Sequence, residues 1–293
     1  MKVDLITGFL GSGKTTFIIE YAKHFISKGE KICIIENDFG AINVDMMMLD
    51  SLDCDKAMIS GTSDKDCHKR RFKTKLIAAA LSHHDRVIVE PSGLFDTDEF
   101  FDVMNEEPLD SLATINNVIC MMDINTKDLS EEEKYFIVNE ISSSSKIIVT
   151  KRENNEIFDI SYFNQILKEY NSDRLLVEKD IIYKDKLNLS DIEYVGYKAS
   201  SFIKKNYNNS FDVMYFMENK IRVEELKEKS NILFGDKRYG DILRIKGFIK
   251  EDSWYKINLT KENKDINQTS NGQEVFIIIG NNLNKEMIKE LIG

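Results

Sequence analysis

The sequence predicts an α/β fold, a parallel sheet with helices on both faces followed by a smaller α+β unit, and three observations carry that prediction. Strand-like apolar runs alternate with segments of helical spacing up to about residue 185. The first such run passes into a helix through a glycine-rich loop. Beyond about residue 185 the pattern changes to strand, strand, strand, helix.

The first strand is Val3-Asp4-Leu5-Ile6-Thr7, and Phe17–Ile26 has helical periodicity. Between them lies Gly8-Phe9-Leu10-Gly11-Ser12-Gly13-Lys14-Thr15-Thr16. Glycines let such a loop turn tightly enough for successive backbone N–H groups to face phosphate oxygens, so Gly11, Ser12, Gly13, Lys14, Thr15 and Thr16 form the predicted cradle. Lys14 adds a point charge, and the Thr15 hydroxyl is a Mg²⁺ ligand of the type such loops supply. With a strand before it and a helix after it, the loop predicts a P-loop NTPase sheet and a nucleoside triphosphate as ligand.

Further strands are predicted at Lys31–Glu36, Arg86–Glu90, Asn117–Asp123 and Lys146–Thr150, with helices at Arg71–Leu81, Ser130–Ile141 and Ser161–Tyr170. A strand near Arg174–Glu178 is expected to close this unit. In the second unit Ile242–Ile249, Trp254–Leu259 and Glu274–Gly280 read as antiparallel strands and Asn284–Leu291 as a terminal helix. The expected division is 1–185 for the P-loop domain and 186–293 for the α+β domain.

Composition narrows the class. A net charge of −10 over 293 residues argues against a nucleic-acid binder, which needs a basic face to displace counterions. No run of about 18 apolar residues is present to span a bilayer. The first strand begins at the N-terminus, leaving no room for a signal peptide, so a cytoplasmic protein is expected. Cysteines 33, 54, 67 and 120 are too few and too scattered for a disulfide scaffold. Cys33 and Cys120 fall in apolar strands and read as core residues, and His83 and His84 read as surface residues.

Glu90 ends an apolar strand, where a P-loop enzyme needs an acid for Mg²⁺, and Gly93 follows three positions later, where its N–H can contact a γ-phosphate. Between the loop and this strand lies Glu36-Asn37-Asp38-Phe39-Gly40, with Asp45 beyond it. Asp38 or Asp45 is a candidate to approach the metal or orient the attacking water, on the carboxyl edge where open α/β sheets bind ligands. Lys14, Asp38, Glu90 and Gly93 are therefore the candidate catalytic set.

Taken in order, the P-loop, Glu36-Asn37-Asp38-Phe39-Gly40 and Glu90-Pro91-Ser92-Gly93-Leu94 resemble the CobW-type GTPases, relatives of the nickel-insertion GTPases. Leu243–Phe248 and Val275–Gly280 are similar to second-domain strands of that family. The resemblance implies a GTPase domain, a small C-terminal domain, and a role in delivering a metal such as zinc or cobalt, or a metallocofactor, to a client protein. It names neither the client nor an oligomeric state.

Two departures stand out. The family's Cys-x-Cys-Cys motif is replaced here by Gly61-Thr62-Ser63-Asp64-Lys65-Asp66-Cys67-His68. Thiolates are the ligands that favour Zn²⁺, so their loss weakens the implied metal role and leaves Cys67 and His68, with Cys54 upstream, as the candidate transition-metal ligands. The guanine-reading Asn-Lys-x-Asp of such GTPases is here Thr150-Lys151-Arg152-Glu153. Lys151 can still pack against a base and Glu153 keeps a carboxylate one methylene longer, which favours GTP with ATP as the alternative.

The remaining features have plainer readings. The basic run His68–Lys75 reads as a solvated helix face, and Met46-Met47-Met48 as packing beneath the sheet. The expected function is a GTP- and Mg²⁺-dependent switch with slow, partner-dependent hydrolysis, since no Arg or Gln is evidently placed as a catalytic finger. The alternatives are a regulatory GTPase that has lost metal handling and a P-loop kinase acting on a small molecule.

Overall fold

The computed structural model describes residues 1–38, 49, 52–60, 65–91, 97–153, 155–203, 212–217, 220–261, 263–270, 272 and 274–293. The chain forms two compact units, which divide in the described chain between residues 203 and 212.

The first unit is built on a seven-stranded parallel sheet of order β3-β2-β4-β1-β5-β6-β7. Its strands are β1 (Lys2–Thr7), β2 (Ile32–Asp38), β3 (Asp55–Ser60), β4 (Arg86–Pro91), β5 (Thr114–Asp123), β6 (Lys146–Thr150) and β7 (Ile181–Tyr183). Every residue of β4 is buried, as expected of a parallel strand covered on both faces. The described helices are α1 (Lys14–Ser27), α2 (Lys65–Leu81), α3 (Thr97–Met104), the one-turn α4 (Leu109–Leu112), α5 (Glu131–Ser143) and α6 (Ile160–Glu169). One core joins Val3, Leu5, Ile35, Val87 and Val89 of the sheet to Phe72 and Leu76 of α2 and Phe100 and Val103 of α3. The start of α5 is fixed by a reciprocal cap: the Glu133 N–H donates to the Ser130 hydroxyl, and the Ser130 N–H donates to the Glu133 carboxylate.

Four expectations need correction. Residues 174–178 form no strand; the sheet closes instead with β7 at Ile181–Tyr183, beside β6. Asp55–Ser60 is an edge strand, unexpected because Asp55 and Lys56 open it and break the apolar run. His84 is buried rather than at the surface. Its ring bonds the Ala79 carbonyl at 2.9 Å and Asp55 at 2.8 Å, while its neighbour His83 is exposed.

The fourth correction concerns residues 186–203, which pack on the first sheet. Asn117 lies within buried β5, where an amide must find partners. It donates to the Ile192 carbonyl at 3.0 Å and to the Tyr21 hydroxyl at 2.8 Å, and it accepts from the Val195 N–H at 2.7 Å. Gly196 then bridges to Asn117, and the Val118 N–H donates to the Gly196 carbonyl at 2.9 Å.

The amino edge of the sheet holds a buried ion pair. Arg86 bonds Asp4, and both side chains are almost fully enclosed. Arg86 also donates to Glu30 at 2.7 Å and lies 3.6 Å over the Phe25 ring. Burial raises the Asp4 carboxyl above its usual range, against the opposing pull of Arg86.

The second unit is a five-stranded antiparallel sheet of order β11-β10-β9-β12-β8. Its strands are β8 (Asp212–Met217), β9 (Asp241–Lys250), β10 (Trp254–Leu259), β11 (Lys264–Thr269) and β12 (Val275–Asn281). Leu226 and Leu233 of α7 (Val223–Gly235), with Ile288 and Ile292 of α8 (Lys285–Ile292), pack in one core with Ile245, Ile257, Phe276 and Ile278 of the sheet. Sequence reading found β9, β10, β12 and α8 but not β8, β11 or α7. Among the described residues no helix is long and apolar enough to cross a membrane.

Candidate functional site

At the carboxyl end of central strand β1 the chain order reverses, β4 lying on one side and β5 on the other, and crevices of this kind receive ligands in open α/β sheets. The backbone there has left-handed or otherwise positive φ at Gly8 (+142°), Gly11 (+78°) and Gly13 (+89°), and Gly13 caps α1. A methyl group on Gly8 would lie 2.3 Å from the Met121 carbonyl oxygen, so only glycine fits against β5. The turn itself is closed by the Ser12 N–H donating to the Phe9 carbonyl at 3.2 Å.

Lys14 is 7% exposed, and its ammonium donates to the carbonyls of Gly8 at 2.6 Å and Phe9 at 3.3 Å. One residue on, the Thr15 hydroxyl donates to Glu90 Oε1 at 2.7 Å. That contact follows from topology: β4 pairs with β1 in parallel, so the acid ending β4 stands beside the first turn of α1. The register of β2 on β4 also sets Glu36 opposite Glu90, and both are buried. Two adjoining carboxylates and a hydroxyl are hard oxygen donors suited to Mg²⁺. The Ser12 hydroxyl is buried with no hydrogen-bond partner among the described residues, as suits a donor facing an oxyanion. Thr16 is exposed on the first turn of α1.

On the other side of β1, Thr150 ends β6 and its hydroxyl reaches the Ser12 carbonyl at 2.9 Å and the Met122 carbonyl at 3.2 Å. Lys151, at φ +55°, pairs with Asp123 at 2.8 Å, which fixes its stem along the end of β5. The Glu153 side chain is exposed, and its N–H donates to Glu156 at 3.2 Å. The structure thus brings the P-loop, Glu90 and Thr150 together, with Lys151 and Glu153 following on one loop. The Asp38 side chain, together with Gly93, Asp45 and Met46–Met48, lies outside the described residues.

The candidate transition-metal residues are arranged differently. His68, in the first turn of α2, is buried and its Nδ1 bonds Glu99 of α3 at 2.8 Å. Cys67 is half-buried, and the Arg70 guanidinium is 4.0 Å from its sulfur. Cys54 stands just before β3 and Cys67 in the first turn of α2. Among the described residues no group of three or more His, Cys, Asp and Glu side chains is gathered as a metal site. The basic run is a largely solvated face, with Lys69 and Lys73 each 2.8 Å from Glu106.

Sequence reading missed Glu140 of α5. Its carboxyl is fully buried beneath the loop, where Oε1 accepts from the Gly8 N–H at 3.2 Å and the Thr7 hydroxyl at 3.3 Å. Burial pushes this carboxyl up to about 8, with Lys14 opposing. The available signal was Asn139-Glu140 set between Tyr135–Val138 and Ser142–Ser145, an acid inside a stretch with no solvent-facing pattern.

The family model described as the CobW/HypB/UreG nucleotide-binding domain matches residues 2–178. The chain belongs to this family. Among CobW-type relatives, the zinc chaperone YjiA of Escherichia coli is 27% identical over 166 residues, covering 52% of this chain and 50% of that protein. The zinc chaperone CobW of Pseudomonas aeruginosa is 24% identical over 142 residues, covering 42% of this chain and 35% of that protein. In these matches the chain spans half or less of the relatives' length. A solved structure of Zn(II)-bound YjiA GTPase from E. coli aligns over 99% of this chain and 97% of that one, at 18% identity and a TM-score of 0.35.

Proposed function

We propose that the protein is a Mg²⁺-dependent GTP-binding and GTP-hydrolysing switch that assists delivery of a metal or metallocofactor to a client protein in the cytoplasm. The observation that carries the nucleotide part is the 2.7 Å bond between Thr15 and Glu90 at the mouth of a glycine loop whose lysine is already drawn in. Lys14 and the loop amides of Gly11 to Thr16 hold the phosphates, and Thr15 with Glu90 hold Mg²⁺, which neutralises charge building on the phosphates. Gly93 and Asp38 are assigned to sensing the γ-phosphate and orienting water. Thr150, Lys151 and Glu153 read the base.

Delivery to a client rests on family membership, in which YjiA and CobW are zinc chaperones. Cys67 and His68 are the residues assigned to a Zn²⁺ or Co²⁺ cargo. One observation favours the second reading, a regulatory GTPase without metal handling: His68 is buried against Glu99 rather than grouped with Cys54 and Cys67.

The test is Mg²⁺-dependent turnover of GTP and ATP by the purified protein, its Lys14→Ala variant and its Glu153→Ala variant. Lys14→Ala abolishes binding of both nucleotides. Glu153→Ala removes the preference for GTP while leaving ATP affinity within about threefold, because only guanine offers the paired donors that a carboxylate accepts. Wild-type turnover by Lys14→Ala ends the nucleotide reading, and equal use of GTP and ATP by the unmodified protein ends the guanine reading.

A further inference from the structure

Helix α5 holds the start of the glycine loop and the start of α3 from consecutive residues. Successive helical side chains point about 100° apart, so Asn139 and Glu140 face different neighbours. Asn139 Oδ1 accepts from both the N–H (2.9 Å) and the hydroxyl (2.8 Å) of Thr97, the residue that opens α3 after the chain has left Glu90 and β4. Ser143, one turn on, bonds the same Thr97 hydroxyl. Glu140 grips the other part, the Gly8 amide and Thr7 hydroxyl where β1 becomes the phosphate loop.

The Glu140 carboxyl is an unusual choice for this place. Its Oε1 accepts two hydrogen bonds, a task an amide would perform, while Oε2 is buried with no partner among the described residues. Taking a carboxylate out of water penalises its charged form, and with Oε2 making no compensating hydrogen bond, burial favours the protonated acid. The charged or titratable groups facing it are few. Lys14 approaches from α1, and the Cys120 thiol from β5 is itself pushed up by burial and by Glu140. From β1 come the Thr7 hydroxyl and the Gly8 N–H, whereas the Thr97 hydroxyl of α3 and the Ser172 hydroxyl beyond α6 meet Asn139 and Ser142 and not the Glu140 carboxyl.

We propose that Glu140 is a positioning residue for nucleotide binding: it sets the start of the phosphate loop through Gly8 and Thr7, and it takes up a proton from solvent when phosphates occupy Lys14. This rests on the nucleotide reading above. Among the described residues Lys14 is the cation that favours the ionised Glu140 carboxyl, and phosphates beside it both screen that cation and add negative charge. The free carboxyl titrates at about 8, so the phosphate-bound one titrates higher. Affinity is then full below pH 8, where the proton is present in both states, and falls as pH rises through the window above 8.

The test is calorimetric titration with a non-hydrolysable GTP analogue and Mg²⁺ at pH 7 and 9.5, and at pH 8 in two buffers of different ionisation enthalpy. A one-unit rise on binding gives about tenfold weaker affinity at pH 9.5, and up to about half a proton taken up at pH 8. Glu140→Gln keeps the acceptor and removes the proton, so its affinity at pH 7 stays within about threefold of wild type and its step with pH, left to guanine's own ionisation, is smaller than wild type's. A wild-type affinity equal at both pH values overturns the inference, as does an equal step in Glu140→Gln. Where Glu140→Gln does not fold, the wild-type carboxyl followed by ¹³C NMR decides: a midpoint near 8 that the analogue moves upward supports the inference, and an unmoved midpoint overturns it. No binding at any pH instead overturns the nucleotide reading.

Discussion

Gly8→Ala tests whether the phosphate loop is held by the close approach of β1 to β5. The new methyl would lie 2.3 Å from the Met121 carbonyl oxygen, 2.8 Å from the Ser12 hydroxyl and 3.0 Å from the Met121 side chain. The first of these is about 1 Å short of ordinary contact. Gly8 also sits at φ +142°, a conformation that costs a non-glycine residue about 1–3 kcal/mol. Relief by moving the sheet is closed off, because β1 is paired with β4 on one side and β5 on the other. With about 1–3 kcal/mol more for overpacking, the total is about 2–6 kcal/mol, borne either by global stability or by displacement of the loop. A displacement of about 1 Å takes the Gly8 N–H from Glu140 and the Gly8 carbonyl from Lys14, and errors of that size cost about 10²-fold in turnover. Urea unfolding and steady-state GTP hydrolysis read the two outcomes separately. A variant within about 0.5 kcal/mol of wild type and within about threefold in kcat/KM refutes the reasoning.

Two further predictions concern residues away from the phosphates. Arg86→Met leaves Asp4 buried without its partner and lowers stability by about 3–5 kcal/mol near neutral pH. The Asp4 carboxyl, already raised, then rises further, so the cost of charging it begins above the unfolded value of 3.8 and grows with pH. The deficit relative to wild type is therefore smaller at pH 5 than at pH 8 in urea unfolding, and an equal deficit at the two pH values discounts Asp4 as its source. Cys67→Ser leaves GTP turnover within about twofold, because Cys67 is half-buried and, among the described residues, its sulfur meets the Arg70 guanidinium at 4.0 Å. Cobalt retained in stoichiometric amount, with a charge-transfer band that disappears in Cys67→Ser, would instead make Cys67 the centre of a metal site.

The parts of this molecule that could be read from sequence are those where local pattern and tertiary role agree. The central strands are apolar because both their faces are covered, and the glycine loop is legible because its backbone conformations admit few other residues. Edge elements were lost for the opposite reason. β3 opens with Asp55-Lys56 and β11 reads Lys264-Asp265-Ile266-Asn267-Gln268-Thr269, so pairing on one side sustains strands whose side chains carry little apolar signal. Lys14, Thr15 and Glu90 could be proposed from sequence because spacing along the chain singles them out, and the fold brings Thr15 and Glu90 together. Glu140 was not, since its meaning depends on α5 being buried where it passes beneath Gly8, a fact of packing 132 residues away in sequence. Asn117 was hidden in the same way, as a polar residue in a strand whose partners at 192–196 come much later in the chain.

The Thr150 hydroxyl has a single proton to share between the carbonyls of Ser12 and Met122. That proton links the glycine loop at Ser12 to the ends of β5 and β6, where the proposed function places the base. A nucleotide seated as proposed would meet one piece of backbone with both its halves, and their contributions to affinity would not be independent. In a double-mutant cycle, the effect of altering Glu153 depends on what stands at position 150. A base that seats poorly is then felt in the geometry around the phosphates, so discrimination between bases would emerge in the rate of turnover as well as in the strength of binding.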